Sequence, residues 1–198
     1  MSKFGEAKKI NQQLDINPES KVAKILVNRG EESAKYGDFK GAISNFVEAK
    51  KLNPKLDINP EFKVAKILVD QGKESAEYSH FKSAVEKFKI AQQFNANIDV
   101  DWSGICWHGS LNNQAKDVIF ACEKAVALKP KHGDINDSRG VARALTGDYQ
   151  GAIIDFEIFV KWTNNPKRKS QRQSWIQDLK KGKNPFTLEV LEELRLRK

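Results

Sequence analysis

The stretch "LDINPESKVAKILV" at residues 14–27 returns as "LDINPEFKVAKILV" at residues 56–69, with one letter changed. The match extends well beyond it. Residues 15–54 align on 57–96 without a gap, and 23 of 40 positions are identical. Leu26, Gly30, Ala34, Tyr36, Phe39, Ala42, Phe46 and Ala49 recur as Leu68, Gly72, Ala76, Tyr78, Phe81, Ala84, Phe88 and Ala91. Most of these fall at spacings of three and four, the pattern of one helix face. A duplication of this kind encodes stacking: each copy buries half its apolar surface alone and its neighbour buries the rest.

Each copy reads as two helices. Asn17-Pro18 and Asn59-Pro60 start the first, with Asn as cap and Pro where a missing N–H costs nothing. That helix runs to about Tyr36, where "YGDF" turns and Gly37 is free to take a positive φ. The second helix, "KGAISNFVEAKKL", stops before Asn53-Pro54.

The beat continues downstream with a shorter, constant period. Counting from Ala23 and Ala65, the equivalent positions become Asp99 and Gly133. In that frame Trp102 stands where Leu26 was, Ala125 where Ala49 was and Pro130 where Pro54 was. Gly140, Gly147-Asp148-Tyr149, Ala152 and Phe156 fall under Gly30, Gly37-Asp38-Phe39, Ala42 and Phe46. Upstream, "FGEAKKIN" at 4–11 matches "FVEAKKLN" at 46–53 in six of eight letters, so residues 1–14 read as the second helix of an earlier, partial unit.

A helix–turn–helix that repeats about every 34 residues with a small-residue seam resembles the tetratricopeptide repeat family. The family's W-x2-L-G-x2-Y…A-x3-F…P pattern falls on Leu26, Arg29, Gly30, Ser33, Ala42, Phe46 and Pro54, with Arg29 and Ser33 departing from the usual apolar residues. In the third unit Trp102 and Ile105 match, while Cys106 takes the glycine slot and Cys122 the phenylalanine slot. In the fourth, Asn136 and Arg139 occupy apolar slots. The resemblance implies an all-α, right-handed superhelix with units at about 18–54, 60–96, 99–130 and 133–164. The first spacing exceeds the family's by about eight residues, which are expected to lengthen the leading helices by about two turns. "CWHGSL", "ACEKAVALKP", "DSRGVARALTGDYQGAI" and "NPFTLEVLEEL" are also similar to helical-repeat segments near the C-terminal ends of large bacterial multidomain proteins of signalling or defence type.

Residues 165–198 read as basic capping helices. One covers 167–181 with Trp175, Ile176 and Leu179 on its apolar side, and a last short helix, capped by Thr187, runs through Leu188, Leu191 and Leu194. This segment carries ten Lys/Arg against four Asp/Glu, so most of the chain's net +8 resides there.

Catalysis needs a constellation, and the common ones are missing. No G-x-x-x-x-G-K-[ST], G-x-S-x-G or H-E-x-x-H occurs, and "GKES" at 72–75 lacks the leading glycine. Cys106, His108, Cys122 and His132 fit no zinc template, and the two cysteines are expected to be reduced, buried thiols. Paired acids such as Glu31-Glu32 and Glu192-Glu193 read as solvated helix faces. The sequence therefore points to a protein that is not an enzyme and takes no cofactor or metal. No apolar run approaches the ~20 residues that span a bilayer, and the N-terminus has no apolar signal core. A cytoplasmic protein is expected.

Binding is the function left. In tetratricopeptide arrays the first helices line a concave groove for peptides. Carried onto this frame, the resemblance implies groove residues Lys24, Val27, Asn28 and Glu31, then Lys66, Asp70 and Lys73, then an apolar patch at Trp107 and Leu111. The family's Lys/Asn carboxylate clamp has no counterpart, because its slots hold Val27, Glu31, Asp70, Val100 and Gly104. The expected partner is a protein or peptide. The alternatives are nucleic acid or another polyanion at Lys167, Arg168, Lys169 and Arg172, and self-association through the exposed end of the array.

Overall fold

The computed structural model describes residues 18–196; residues 1–14, where a partial unit is expected, and the Asn17 cap lie outside them. The described residues form ten α-helices: α1 Pro18–Lys35, α2 Phe39–Leu52, α3 Pro60–Glu77, α4 Phe81–Phe94, α5 Trp102–Leu111, α6 Ala115–Leu128, α7 Gly133–Thr146, α8 Tyr149–Trp162, α9 Pro166–Lys180 and α10 Leu188–Leu196. Among the described residues there is no strand.

The second helices α2, α4, α6 and α8 are each 14 residues long. They start at Phe39, Phe81, Ala115 and Tyr149, one long interval followed by two shorter, equal ones. The residue two before each start has positive φ: Gly37 at 87°, Ser79 at 59°, Asn113 at 62° and Gly147 at 90°. One turn therefore recurs four times, twice with the glycine it favours and twice without. Asp38 and Asp148 then cap α2 and α8, accepting from the Gly41 and Gly151 amides at 2.9 Å. The first helices vary instead. Two have 18 residues, α5 has 10 and α7 has 14. Against α5 the expected two extra turns are present, and against α7 only one.

Residues 18–71 with 90–98 form one compact part, and residues 72–89 with 99–196 a second. In the first part α1 packs on α2. Ala23, Gly30 and Ala34 bury one side of the seam and Ala42, Phe46 and Ala49 the other. A Cβ on Gly30 would stand 2.6 Å from the Phe46 ring, so this approach requires glycine. Gln71 donates to the carbonyl of Lys35 at 3.1 Å, and Phe39 meets Phe94 edge-on at 5.3 Å.

In the second part α5, α6, α7, α8 and α9 pack in succession, α5 also meets α7, and α10 folds back onto α5. The glycine–phenylalanine contact recurs at Gly72–Phe88 and Gly140–Phe156, always at the same separation along the chain. At the corresponding pair, Cys106 and Cys122, the structure corrects the expectation of two reduced thiols. The cysteines are joined in a disulfide, with Cα atoms 4.8 Å apart. The reason is the slot itself. Glycine there brings the helices within ring contact of each other, and two cysteines placed in the same slots bring sulfur to sulfur. Both remain buried, as their slots demand.

The fourth unit's polar residues at apolar slots make polar contacts, although the buried Oδ1 of Asn136 has no hydrogen-bond partner among the described residues. Arg139 grips Asp155 through Nε at 3.0 Å and Nη2 at 2.7 Å, and reaches Glu123 at 2.7 Å. Arg143 joins the same two acids, so α6, α7 and α8 share one charged network. Asn136 donates to the carbonyls of Pro130 and His132.

Candidate functional site

The first-helix faces carry two distinct surfaces in the second compact part, one open and one covered. The open one is a cleft of about 520 Å³ between the C-terminal end of α3, the start of α4 and the exposed side of α5. Phe81, Phe88 and Ile105 supply apolar walls, while Lys73, Asp101 and His108 stand at its polar margin. Each wall is fixed locally. Phe88 is held against Gly72 and meets Trp102 edge-on at 5.6 Å. Asp101 caps α5 by accepting from Gly104 at 2.8 Å, and Gly104 is bare because a Cβ would strike that carboxylate. An apolar floor with charges of both signs at its edge suits a peptide side chain. No group of three or more His, Cys, Asp or Glu that could hold a metal ion occurs among the described residues.

The covered surface lies on α5. Here the structure corrects the expected groove patch. Leu111 is 1 % exposed and belongs to a core with Val141, Trp175, Leu179, Phe186, Leu191 and Leu194. Trp107 is half-buried against the same core. The cover is α10, whose Arg195 Nε donates to the Leu111 carbonyl at 2.8 Å; its Nη2 reaches the same oxygen.

Of the other expected groove residues, Lys24 and Asn28 are exposed on α1, and Lys66 and Asp70 are exposed on α3. Val27 and Glu31 are half-buried, and Glu31 is paired with Lys63 at 2.8 Å. Lys73 alone of the set lines the cleft. Motif reading raises His108 only as a metal question and does not raise Asp101 at all, yet both are its neighbours there. Their signal is positional: both sit at the helix that the repeat frame assigns to the inner face.

The basic cap is less available than its composition suggests. Arg172 is 2 % exposed and bidentate to Asp137, at 2.9 and 2.6 Å, which removes it from any polyanion surface. Its guanidinium also lies over the rings of Trp175 and Phe159. Arg168 is bound to Asp134 at 2.6 Å. Lys167 and Lys169 remain exposed. Burial raises the pKa of Asp137, with Arg172 opposing, and it raises that of Asp155 against Arg139. Both are ion pairs that join one helix to another.

No described helix is long and apolar enough to cross a membrane. No family model matches the chain, and it matches no curated protein.

Proposed function

We propose that this chain is a non-catalytic protein-interaction scaffold of the tetratricopeptide type, a right-handed superhelix that takes a peptide or partner domain on the faces of its first helices. The observation that carries the reading is the open cleft bounded by Phe81, Phe88 and Ile105 with Lys73 and His108 at its margin. It is where a repeat of this kind would place a ligand anchor, and its walls are set by packing rather than by a loop. A cytoplasmic place within a bacterial signalling or defence assembly fits the same proposal; its support is the resemblance of the third and fourth units.

Peptide display against the full chain tests it. Selected peptides should lose at least about tenfold in affinity when Lys73→Glu and His108→Glu reverse or add charge at the margin. Lys116→Glu, on the second helix α6, should leave them unchanged. Selected peptides that ignore the margin variants, or a surface that selects none, would count against the proposal.

A further inference from the structure

The segment covering the end of α5 has the composition of a ligand. Helix α10 is nine residues long, "LEVLEELRL", and an isolated helix of that length is not stable in water. Its order depends on the face it lies on. Leu191 and Leu194 are 6 % and 1 % exposed there, while Leu188 and Leu196 are 74 % and 84 % exposed. One stripe is engaged, Leu191 and Leu194 with half-buried Val190 beside them. The polar contact is equally specific. Leu111 is the last residue of α5, and its carbonyl belongs to a helix end that lacks intrahelical donors. Arg195 supplies donors and places a cation at the negative end of the α5 dipole. The engagement is a Leu-x-x-Leu-Arg helix that packs on α5 at the edge of the core shared with α7, α8 and α9, and the chain reaches it through Lys181–Thr187, with a turn at Gly182, φ +73°.

We infer that the α5 face ending at Leu111 is a docking surface for a short amphipathic helix of the pattern Leu-x-x-Leu-Arg, and that α10 is its resident occupant, which a partner helix of the same pattern must displace. The inference deepens the proposed function and rests on it only in treating a first-helix face as a docking surface. The resident is self-limiting by construction. A tethered copy competes at an effective concentration on the order of millimolar, so a partner helix gains access when it binds more tightly than that or when α10 is released. The inner core does not depend on α10 alone, because Phe186 and Trp175, 4.8 Å apart, close the α8–α9 side from outside that helix.

The test uses the full chain and a fluorescent peptide, TLEVLEELRLRK, which spans residues 187–198. Wild type is compared with the full-length Leu191→Asp/Leu194→Asp variant, and far-UV circular dichroism with urea unfolding is recorded for both. The variant should stay helical, unfold cooperatively and bind the peptide at least about tenfold more tightly than wild type. A peptide carrying the same two substitutions should bind neither. Equal binding to both proteins, or binding to neither, would overturn the inference. Collapse of the variant's helical signal would overturn it too, because α10 would then be an integral part of the core. None of these results bears on the Lys73/His108 cleft, so failure here and failure of the proposed function are distinguishable.

Discussion

Ser79 and Asn113 stand at positive φ where the other two units have glycine. Asn tolerates that region through its short polar side chain; Ser is less suited, and an L-residue there gives up about 1 kcal/mol. Ser79→Gly should therefore stabilise the chain by about 0.5–1 kcal/mol, read as a higher urea midpoint, and a lower midpoint would mean the turn is not the repeated one. The turns at Gly37 and Gly147 were legible from the sequence because the residue that needs the conformation was present. The turns at 79 and 113 were legible only by register. The same contrast explains the cysteines. Counting two of them excluded a disulfide framework and said nothing about a pair. The decisive sign was that Cys106 and Cys122 are 16 residues apart. Gly30 and Phe46, Gly72 and Phe88, and Gly140 and Phe156 share that separation and meet in space.

At the scale of elements, that pair makes a direct prediction about α5 and α6. If the disulfide does the work of the glycine–phenylalanine contact elsewhere, the two are interchangeable. Cys106→Gly with Cys122→Phe should fold and should have the same urea midpoint with and without reductant. Wild type should lose up to about 3 kcal/mol on reduction, the value for closing a loop of this length. A double variant that fails to fold, or one that still responds to reductant, would show that the third unit does not share the packing of the others. Element boundaries followed the sequence closely where caps and turns announced them. Asn59 and Thr187 accept from the Phe62 and Val190 amides at the starts of their helices, and α9 and α10 lie where the apolar stripes of Trp175–Leu179 and Leu188–Leu194 put them. The destination of α10 was not legible. A helical period says which face is apolar but not what it will meet, and Arg195 meets the carbonyl of Leu111, five helices earlier in the second compact part. For the same reason Leu111 read as an open groove residue and proves to be core.

For the molecule as a whole, the repeat decided the all-helical class, because stacking of one unit on the next is the economical way to bury faces that no single copy can cover. Composition overstates the free charge at this scale. Residues 165–198 hold a large excess of Lys and Arg, yet Arg168 and Arg172 are engaged by Asp134 and Asp137. Composition cannot see that a strongly basic helix lies beside carboxylates of another unit. What remains open on the first-helix side of the second compact part is the cleft at Lys73 and His108, and the central claim is that this surface meets partners while the second helices do not. The measurement that tests it most directly is photo-cross-linking in native lysate, with a photoreactive residue placed at His108 in one full-length chain and at Lys116 in another. A discrete protein adduct at position 108 that a display-selected cleft peptide suppresses, with none at 116, is the predicted result. Adducts at 116 and not at 108, or adducts at 108 that the peptide leaves untouched, would contradict the account.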